Sequence, residues 1–462
     1  MKPHTICGVK LIQKERIKFL NNNKEENGEY VLYWMQSSQR TEYNHALEYS
    51  IIKANSMNKP IVVFFGLTEK FPNANLRNFS FMLEGLYEVE KSLKERGITF
   101  VIRNTSPEIG ATEISNEASL VVVDKGYQRI ERNWRNYVSE NIDCPLIEIE
   151  TNTVVPVEEV SMKEEYVAAT IRPKIKRIID QYMVPLDPVE PIKSTSSLDF
   201  DSLDLEDIDV LIKSLDIDKS VGTAPDLFGG TSEAKSHLDL FIKTKLDRYD
   251  DLRNNPNLDY LSKMSPYLHF GQISPLYIAL KIEQTESPGK DPYLEELIVR
   301  RELSMNYVYY NNNYDSFDGL PNWCKRTLEL HEKDVRDYIY SIKYFENAST
   351  HDTYWNAAQN EMIHTGKMHG YMRMYWGKKV IEWSKSPKDA YETLIYLNDK
   401  YELDGRDANG YTGVAWCFGK HDRPWAERKI FGNIRYMNDK GLKRKFDPDA
   451  YAKKINDYIT YN

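Results

Sequence analysis

Paired cysteines are missing from this chain: Cys7, Cys144, Cys324 and Cys417 lie far apart along 462 residues. Zinc and iron–sulfur sites need thiolates a few residues from one another, so neither is indicated and no metal site is expected. The same scarcity fits a reducing cytoplasm. No run reaches the roughly 18 apolar residues of a membrane span, and the basic N-terminus has no apolar core of signal length. A soluble, cytoplasmic protein with no membrane partner is the expectation. Glycine-rich phosphate loops are also missing, since neither G-x-G-x-x-G nor G-x-x-x-x-G-K-[ST] follows the first strand pattern. A formal charge of -9 argues against non-specific coating of nucleic acid.

That sum hides a gradient. Residues 187–219 hold ten acids against three bases, whereas residues 420–462 hold eleven bases against six acids. Hydrophobic content of 41% is ordinary for a globular protein, and the length suits two or three domains. Aromatics reach 12%, with 32 Tyr and 8 Trp, which points to flat ligands, stacking or electron chemistry, or simply to a tyrosine-rich composition.

From residue 30 short apolar runs (YVLYWM, IVVFFGL, TFVIRN, SLVVVDK, PLIEIE) alternate with amphipathic segments such as RNFSFMLEGLYEVEKSLKERG. This alternation predicts a Rossmann-like parallel α/β domain over 1–185. The Pro-, Ser- and Asp-rich stretch at 186–222 reads as an acidic interdomain linker. Beyond it strand signals vanish, and 223–462 reads as an all-helical domain.

Within the helical half, Tyr249 and Arg253 end one helix, and Ser262, Lys263 and Ser265 precede Pro266 at a helix start. Such a start suits a diphosphate, or is an ordinary Ser-Pro cap. In ELIVRREL, Glu296 and Arg300 are spaced as a helix ion pair, although a carboxyl facing a cavity could instead support developing charge on a substrate. Trp376 and Trp383 are seven residues apart on one helix face, with Trp355 opening the preceding helix. Three rings so placed read equally well as core packing or as a path for electron hopping. The loop from Asn398 through Asp404, Arg406 and Asp407 to Trp416 is long and polar, as functional loops are. His364, His369 and His421 have no ligand spacing and read as helix-packing or surface residues.

SPYLHFGQISP, ELIVRREL, TGKMHGYMRMYWGKKVIEW and LDGRDANGYTGVAW, with YWMQSSQRTEYNHAL and TIRPKI in the first half, resemble the cryptochrome/photolyase family, and most closely class II cyclobutane pyrimidine dimer photolyases. The resemblance implies light-driven repair of cyclobutane pyrimidine dimers by electron transfer from reduced FAD, a deoxyribodipyrimidine photo-lyase. It implies Tyr249, Arg253, Leu261, Ser262, Lys263, Met264 and Ser265 at the FAD phosphates, and Arg373, Asn398, Asp404, Arg406 and Asp407 around the flavin. Glu296 matches the acid that bonds the dimer, with Met374 and Trp416 packing on the lesion. Trp376 and Trp355 match an electron relay, with Trp383 as a branch. Arg423, Lys429 and Arg435 would meet the phosphates of UV-damaged DNA from which the dimer is flipped out.

Two departures from the class I pattern stand out. Gly410 occupies the place of an asparagine facing the flavin, a role that Asn398 would take over, and Val299 replaces a lesion-stacking Trp. An antenna chromophore, deazaflavin or folate, would sit in the N-terminal domain, and a monomer is expected. The alternatives are a signalling cryptochrome, disfavoured by Glu296, Trp416, the basic end and the lack of a long C-terminal tail, and a 6-4 photolyase, which needs a histidine pair not evident here.

Overall fold

The computed structural model describes residues 12–195 and 198–461, so Cys7 and two linker positions lie outside the described residues. The first body is a six-stranded sheet built from β1 (Ile17–Phe19), β2 (Tyr30–Trp34), β3 (Ile61–Leu67), β4 (Thr99–Asn104), β5 (Ala118–Asp124) and β6 (Leu146–Ile149). Between its strands run α1 (His45–Ser56), α2 (Leu76–Glu95), α3 (Pro107–Ser115) and α4 (Arg129–Asn141). The strand order is β1-β6-β5-β2-β3-β4. The five strands read from the sequence are parallel to one another, but β1 adds antiparallel to β6, so the sheet is mixed. β1 escapes sequence reading because it is three residues long and carries no buried apolar run.

β2, β3 and β5 are buried along their whole length, which their Val- and Phe-rich runs require of a sheet covered on both faces. Successive side chains separate cleanly. Tyr33, Val63 and Val122 pack with Leu47, Leu83 and Leu86 on one face, and Leu32, Phe64 and Val121 with Ile114 and Val138 on the other. Each such side chain contributes about 1.5–3 kcal/mol by burial.

The acidic stretch is less of a spacer than its composition suggests. It carries α7 (Ile208–Ser214), and Leu205, Leu211 and Leu215 join the sheet core while the acids face outward. The predicted boundary at 185 also shifts. After the sheet come α5 (Val157–Val160) and α6 (Ala168–Ile178), and Val154, Val160, Ile171, Ile175 and Tyr182 pack with Leu238, Phe241 and Tyr249 of the helical body. Apolar periodicity marks a buried face without saying which body buries it.

The helical body continues with α8 (Thr231–Thr244), α9 (Tyr249–Leu252), α10 (Ser265–His269), α11 (Pro275–Glu283), α12 (Lys290–Leu294) and α13 (Arg301–Tyr310). It is completed by α14 (Asn322–Leu330), α15 (Ile342–Glu346), α16 (Thr353–Thr365), α17 (Gly370–Trp383), α18 (Pro387–Tyr401), α19 (Ala408–Cys417), α20 (Asp439–Lys443) and α21 (Pro448–Tyr461). Glu295–Arg300 is wound as a π-helix between α12 and α13, a local widening often found at functional sites. No described helix is long and apolar enough to cross a membrane.

Side chains of α2 tie the two bodies together. Buried Arg77 donates to the carbonyls of Gly222, Met362, Ile363 and Tyr401 at 2.5–3.1 Å, satisfying the end of α16 that its own helix leaves open. Asn78 donates to Leu403 at 3.2 Å, which anchors the loop bearing Asp404.

Candidate active site

Glu296 sits on the π-helix, and its partner is not Arg300. Its Oε1 accepts from Arg253 Nη1 at 2.9 Å, while Arg300 turns to Glu295 at 3.2 Å and Glu295 is in turn held by Arg172 at 2.7 Å. The simple helix ion pair is thus ruled out. Glu296 stays 41% exposed, open to a ligand. Arg253 also stacks over Tyr249 at 5.2 Å, and Tyr249 is buried against Phe241 and Tyr293.

From Arg253 the contacts close into a ring. The His369 ring faces the Arg253 backbone, and its Nδ1 accepts from Tyr371 at 3.2 Å to cap α17. Burial holds that imidazole neutral, pulling it down to about 4. On α17, Met374 Sδ lies 4.0 Å from Cys417 Sγ of α19, beside Trp416. Arg300 then lies over Trp416 at 5.7 Å, which returns the circuit to the π-helix. Glu296 and Arg253 are thus joined directly, whereas Met374 and Trp416 are linked to them only through neighbours on α17, α19 and the π-helix, and Val299 is buried in the core.

Deeper in, Arg373 Nη1 donates to Asn398 Oδ1 at 2.9 Å, and its Nη2 meets Glu402 Oε1 at 2.8 Å. Asp404 pairs with Lys367 at 2.6 Å, and Lys367 reaches Glu402 at 3.1 Å. Arg373 and Asp404 are thus joined in a four-member network through Glu402 and Lys367. Burial alone would raise the Asp404 carboxyl, but Lys367 and Arg373 outweigh it and hold it well below the usual range. Burial likewise works against the Arg373 charge, and Glu402 with Asp404 outweighs that, so the guanidinium stays charged.

Glu402, only 1% exposed, was missed from sequence, although its place four residues after Asn398 on the same helix end was a usable signal. A Cβ on Gly410 would come within 2.9 Å of Asn398 Nδ2, so the amide fills the space that glycine leaves. A Cβ on Gly413 would meet only Arg373 Cδ, at 3.8 Å, and one on Gly370 would meet nothing within 4 Å. α17 and α19 pack closely at Gly377, where a Cβ would run into Cys417 Sγ, and are looser at Gly413.

Ser262, Lys263, Met264 and Ser265 lie where a helix start was expected, but α10 has only five residues, so its dipole is small. An anion there would be met by backbone N–H groups and by Arg253 and Lys263, which now pair with Glu296 at 2.9 Å and Asp259 at 4.0 Å. The Ser265 hydroxyl helps hold the Asp404 carboxyl low, so this segment lies near the network. Arg406 is committed elsewhere: at φ 62° it is locked by its N–H to Asp399 Oδ1 at 2.8 Å and by its guanidinium to the carbonyls of Asp399 and Asn73. Asp407 caps α19 through Asn409 at 2.8 Å and meets His269 at 3.1 Å. Both line a cleft between the bodies, at the strand ends where the sheet order reverses, with Trp134, Phe71, Phe270, Gln36 and Asn152.

Trp355 and Trp376 are stacked, 6.5 Å apart at 10°, and Trp355 lies 6.2 Å from Trp383. Trp355 is therefore the middle of a line, and Trp383 its far end instead of a branch. On the basic loop, Arg423 and Arg435 flank Trp425 at 5.7 and 5.2 Å, and that ring is 41% exposed. Trp425 was not singled out from sequence. Lys429 lies apart, in a depression with Trp383 and His351.

A sheet body packed on a helical body, with a cleft between them and an aromatic line inside the second, defines a class of fold, and known proteins share it. A family model described as DNA photolyase matches residues 31–193. A deoxyribodipyrimidine photo-lyase of Methanothermobacter thermautotrophicus is 51% identical, covering 96% of this chain and 99% of its own. One of Potorous tridactylus is 37% identical, covering 96% and 85%. A bacterial class III photolyase from Agrobacterium tumefaciens has a similar fold, with a TM-score of 0.72 at 17% identity over 93% of this chain and 87% of that one. An archaeal photolyase from Sulfolobus tokodaii, solved with two FAD molecules, gives 0.71 at 16% identity over 92% and 89%. The chain belongs to the DNA photolyase family and is an enzyme of the lyase class.

Proposed function

We propose that this enzyme repairs cyclobutane pyrimidine dimers in DNA under light, in the manner of class II photolyases. The exposed Glu296 carboxyl held by Arg253 carries this reading, with Trp416 under Arg300 and the Arg373–Asn398 pair, which would form the floor of a slot for the cofactor. FAD bound in that slot, when reduced, would supply a photoexcited electron to the dimer.

The chain's part is to hold and shield. Arg253, Lys263, Ser262 and Ser265 would hold the diphosphate, and Arg373 with Asn398 would bracket the flat ring. Glu296, as the carboxylic acid, would donate its O–H to a dimer carbonyl and stabilise negative charge developing there, a role worth about 2.7–4 kcal/mol where such a donor has been removed in other enzymes. Trp416 and Met374 would pack on the flipped dimer, whose poor stacking makes extrusion cheaper than for normal bases. Arg423 and Arg435, with Trp425 between them, would take phosphates or fill the vacated space in the duplex. Trp376, Trp355 and Trp383 would carry electrons inward when the flavin is oxidised. The cleft lined by Trp134, Phe71 and Phe270 suits an antenna chromophore, a flat deazaflavin or folate, at the sheet's switch point.

A 6-4 photolyase is disfavoured because His369 is used as a helix cap and held neutral. The decisive assay is light-dependent restoration of thymines in a dimer-containing oligonucleotide by flavin-reduced protein. Equal restoration in the dark, or none with flavin bound, refutes the reading.

A further inference from the structure

The hydrogen bonds along the tryptophan line change character at its outer end. The indole N–H of Trp376 donates to the Gln359 amide oxygen at 2.9 Å, and that of Trp355 to the Trp376 carbonyl at 3.0 Å. Neutral amide oxygens accept a hydrogen bond but do not take a proton near neutral pH. An oxidised indole at either position therefore keeps its proton, and its positive charge stays mobile.

Trp383 has different surroundings. Lys379 Nζ stands 5.3 Å from its ring centroid, which disfavours positive charge resting there. Tyr340 packs edge-on at 5.9 Å, and its backbone N–H donates to the Trp383 carbonyl at 2.9 Å. His351 lies 4.8 Å from Trp383. The Tyr340 hydroxyl is 2.8 Å from His351 Nδ1, and the backbone N–H of His351 donates to the same hydroxyl oxygen at 3.1 Å. In the Nε2–H tautomer of His351, Nδ1 is the unprotonated ring nitrogen and accepts the hydroxyl hydrogen of Tyr340. Tyr338 stacks on His351 at 3.7 Å and is 46% exposed, so the assembly reaches the surface.

We propose that Tyr340 and His351 form a proton-coupled terminus of this line, an inference that rests on the reading of Trp376, Trp355 and Trp383 as an electron path to a light-excited flavin. One electron passes from the Tyr340 phenol to oxidised Trp383, restoring the neutral indole, while the phenolic proton moves to His351 Nδ1. The products are a neutral Tyr340 phenoxyl radical and a His351 imidazolium. A thiol in solution then returns a hydrogen atom to Tyr340, and His351 releases its proton to water. Return of the electron outward from the flavin to the Tyr340 radical would require the proton to move back as well, so the oxidised site is trapped at the surface.

Flash photolysis of the flavin-loaded protein, followed by electron paramagnetic resonance and transient absorption, tests this. In the native protein a tyrosyl signal should replace the indole signal, more slowly in heavy water. Tyr340→Phe should leave the indole radical in place and reduce long-lived charge separation severalfold. His351→Gln, whose amide accepts the same hydrogen bond but not the proton, should do the same, whereas Tyr338→Phe should do neither. An indole radical without a tyrosyl successor in the native protein, or an unchanged tyrosyl signal in Tyr340→Phe, overturns the terminus and leaves the line standing. Absence of any indole radical overturns both.

Discussion

Replacing Gly410 with alanine tests the geometry at the centre of the slot. The added Cβ would lie 2.9 Å from Asn398 Nδ2, whereas ordinary contact begins at 3.4 Å, so the amide must retreat by half an ångström. It has little freedom to do so. Asn398 is 3% exposed, its Oδ1 accepts from Arg373 at 2.9 Å and its Nδ2 donates to Asp399 at 3.2 Å. Loss of the bond from the charged guanidinium costs about 1.5–3 kcal/mol. Even half of the lower figure, felt at the flavin, weakens its binding by roughly threefold, and the whole of it by roughly tenfold.

Flavin affinity, read from fluorescence of the released cofactor, should therefore fall in Gly410→Ala, and repair at limiting flavin should fall with it. Asn398→Ala should lose about as much. The double variant should be no worse than Asn398→Ala, because the methyl then meets an empty space, a coupling that only neighbouring sites show. Gly410→Asn in the Asn398→Ala background returns an amide to the same region and should recover part of the loss. Additive losses in the double variant would refute the steric argument.

Glu296→Gln should lower repair roughly ten- to a hundredfold while leaving flavin binding intact, and equal repair rates would remove the Glu296 carboxyl group from the reaction. Trp376→Phe should abolish photoreduction of oxidised flavin but spare repair by chemically reduced enzyme, and unchanged photoreduction would take Trp376 out of the path. Asp404 is depressed, so its stabilisation is present above the unfolded value near about 3.9 and lost only as pH falls through its lower folded value; Lys367 is raised, so its share persists below about 10.4 and fades as pH climbs through its higher folded value. The thermal midpoint difference between native protein and Asp404→Asn should thus stay flat from about pH 5 to about pH 10, and a difference that shrinks within that window would contradict the pairing.

How much of this was legible in sequence depends on whether a pattern carries its own partner. The five parallel strands were, because a run such as IVVFFGL is tolerable only where both faces are covered. β1 was not, because Ile17–Phe19 owes its pairing to the backbone of β6. The tryptophan spacing put Trp376 and Trp383 on one face of α17, but only tertiary packing placed Trp355 between them. Glu402 and Gln359 read as polar helix positions until Arg373 and Trp376 are seen to need their oxygens. Lys378 is the opposite failure. In a basic, tryptophan-rich helix it looks solvated, yet it is fully buried, pulled down to about 8 by that burial, and bonded to the Cys417 carbonyl at the end of α19. A side chain's type fixes what it can bond, whereas its burial is set by elements distant in the chain.

The same principle explains how two bodies can hold one slot. Where they meet, the buried arginines donate mainly to neutral carbonyls: Arg77 to Met362, Ile363 and Tyr401, Arg40 to Gly271 and Thr151, Arg301 to Asn152. Burial draws Arg77 and Arg40 down to about 10, so these charges are held at a desolvation cost that the carbonyls only partly offset. In return, each planar fork fixes several backbone oxygens at once, which one carboxylate could not do. Met362 and Ile363 end the helix that begins near Trp355, and Tyr401 precedes Glu402. Arg77 therefore acts on the aromatic line and on the Arg373 network together. Electron transfer between rings weakens steeply with distance, so an interface of this kind serves the proposed chemistry by rigidity, and Arg77 need not touch the flavin to do so.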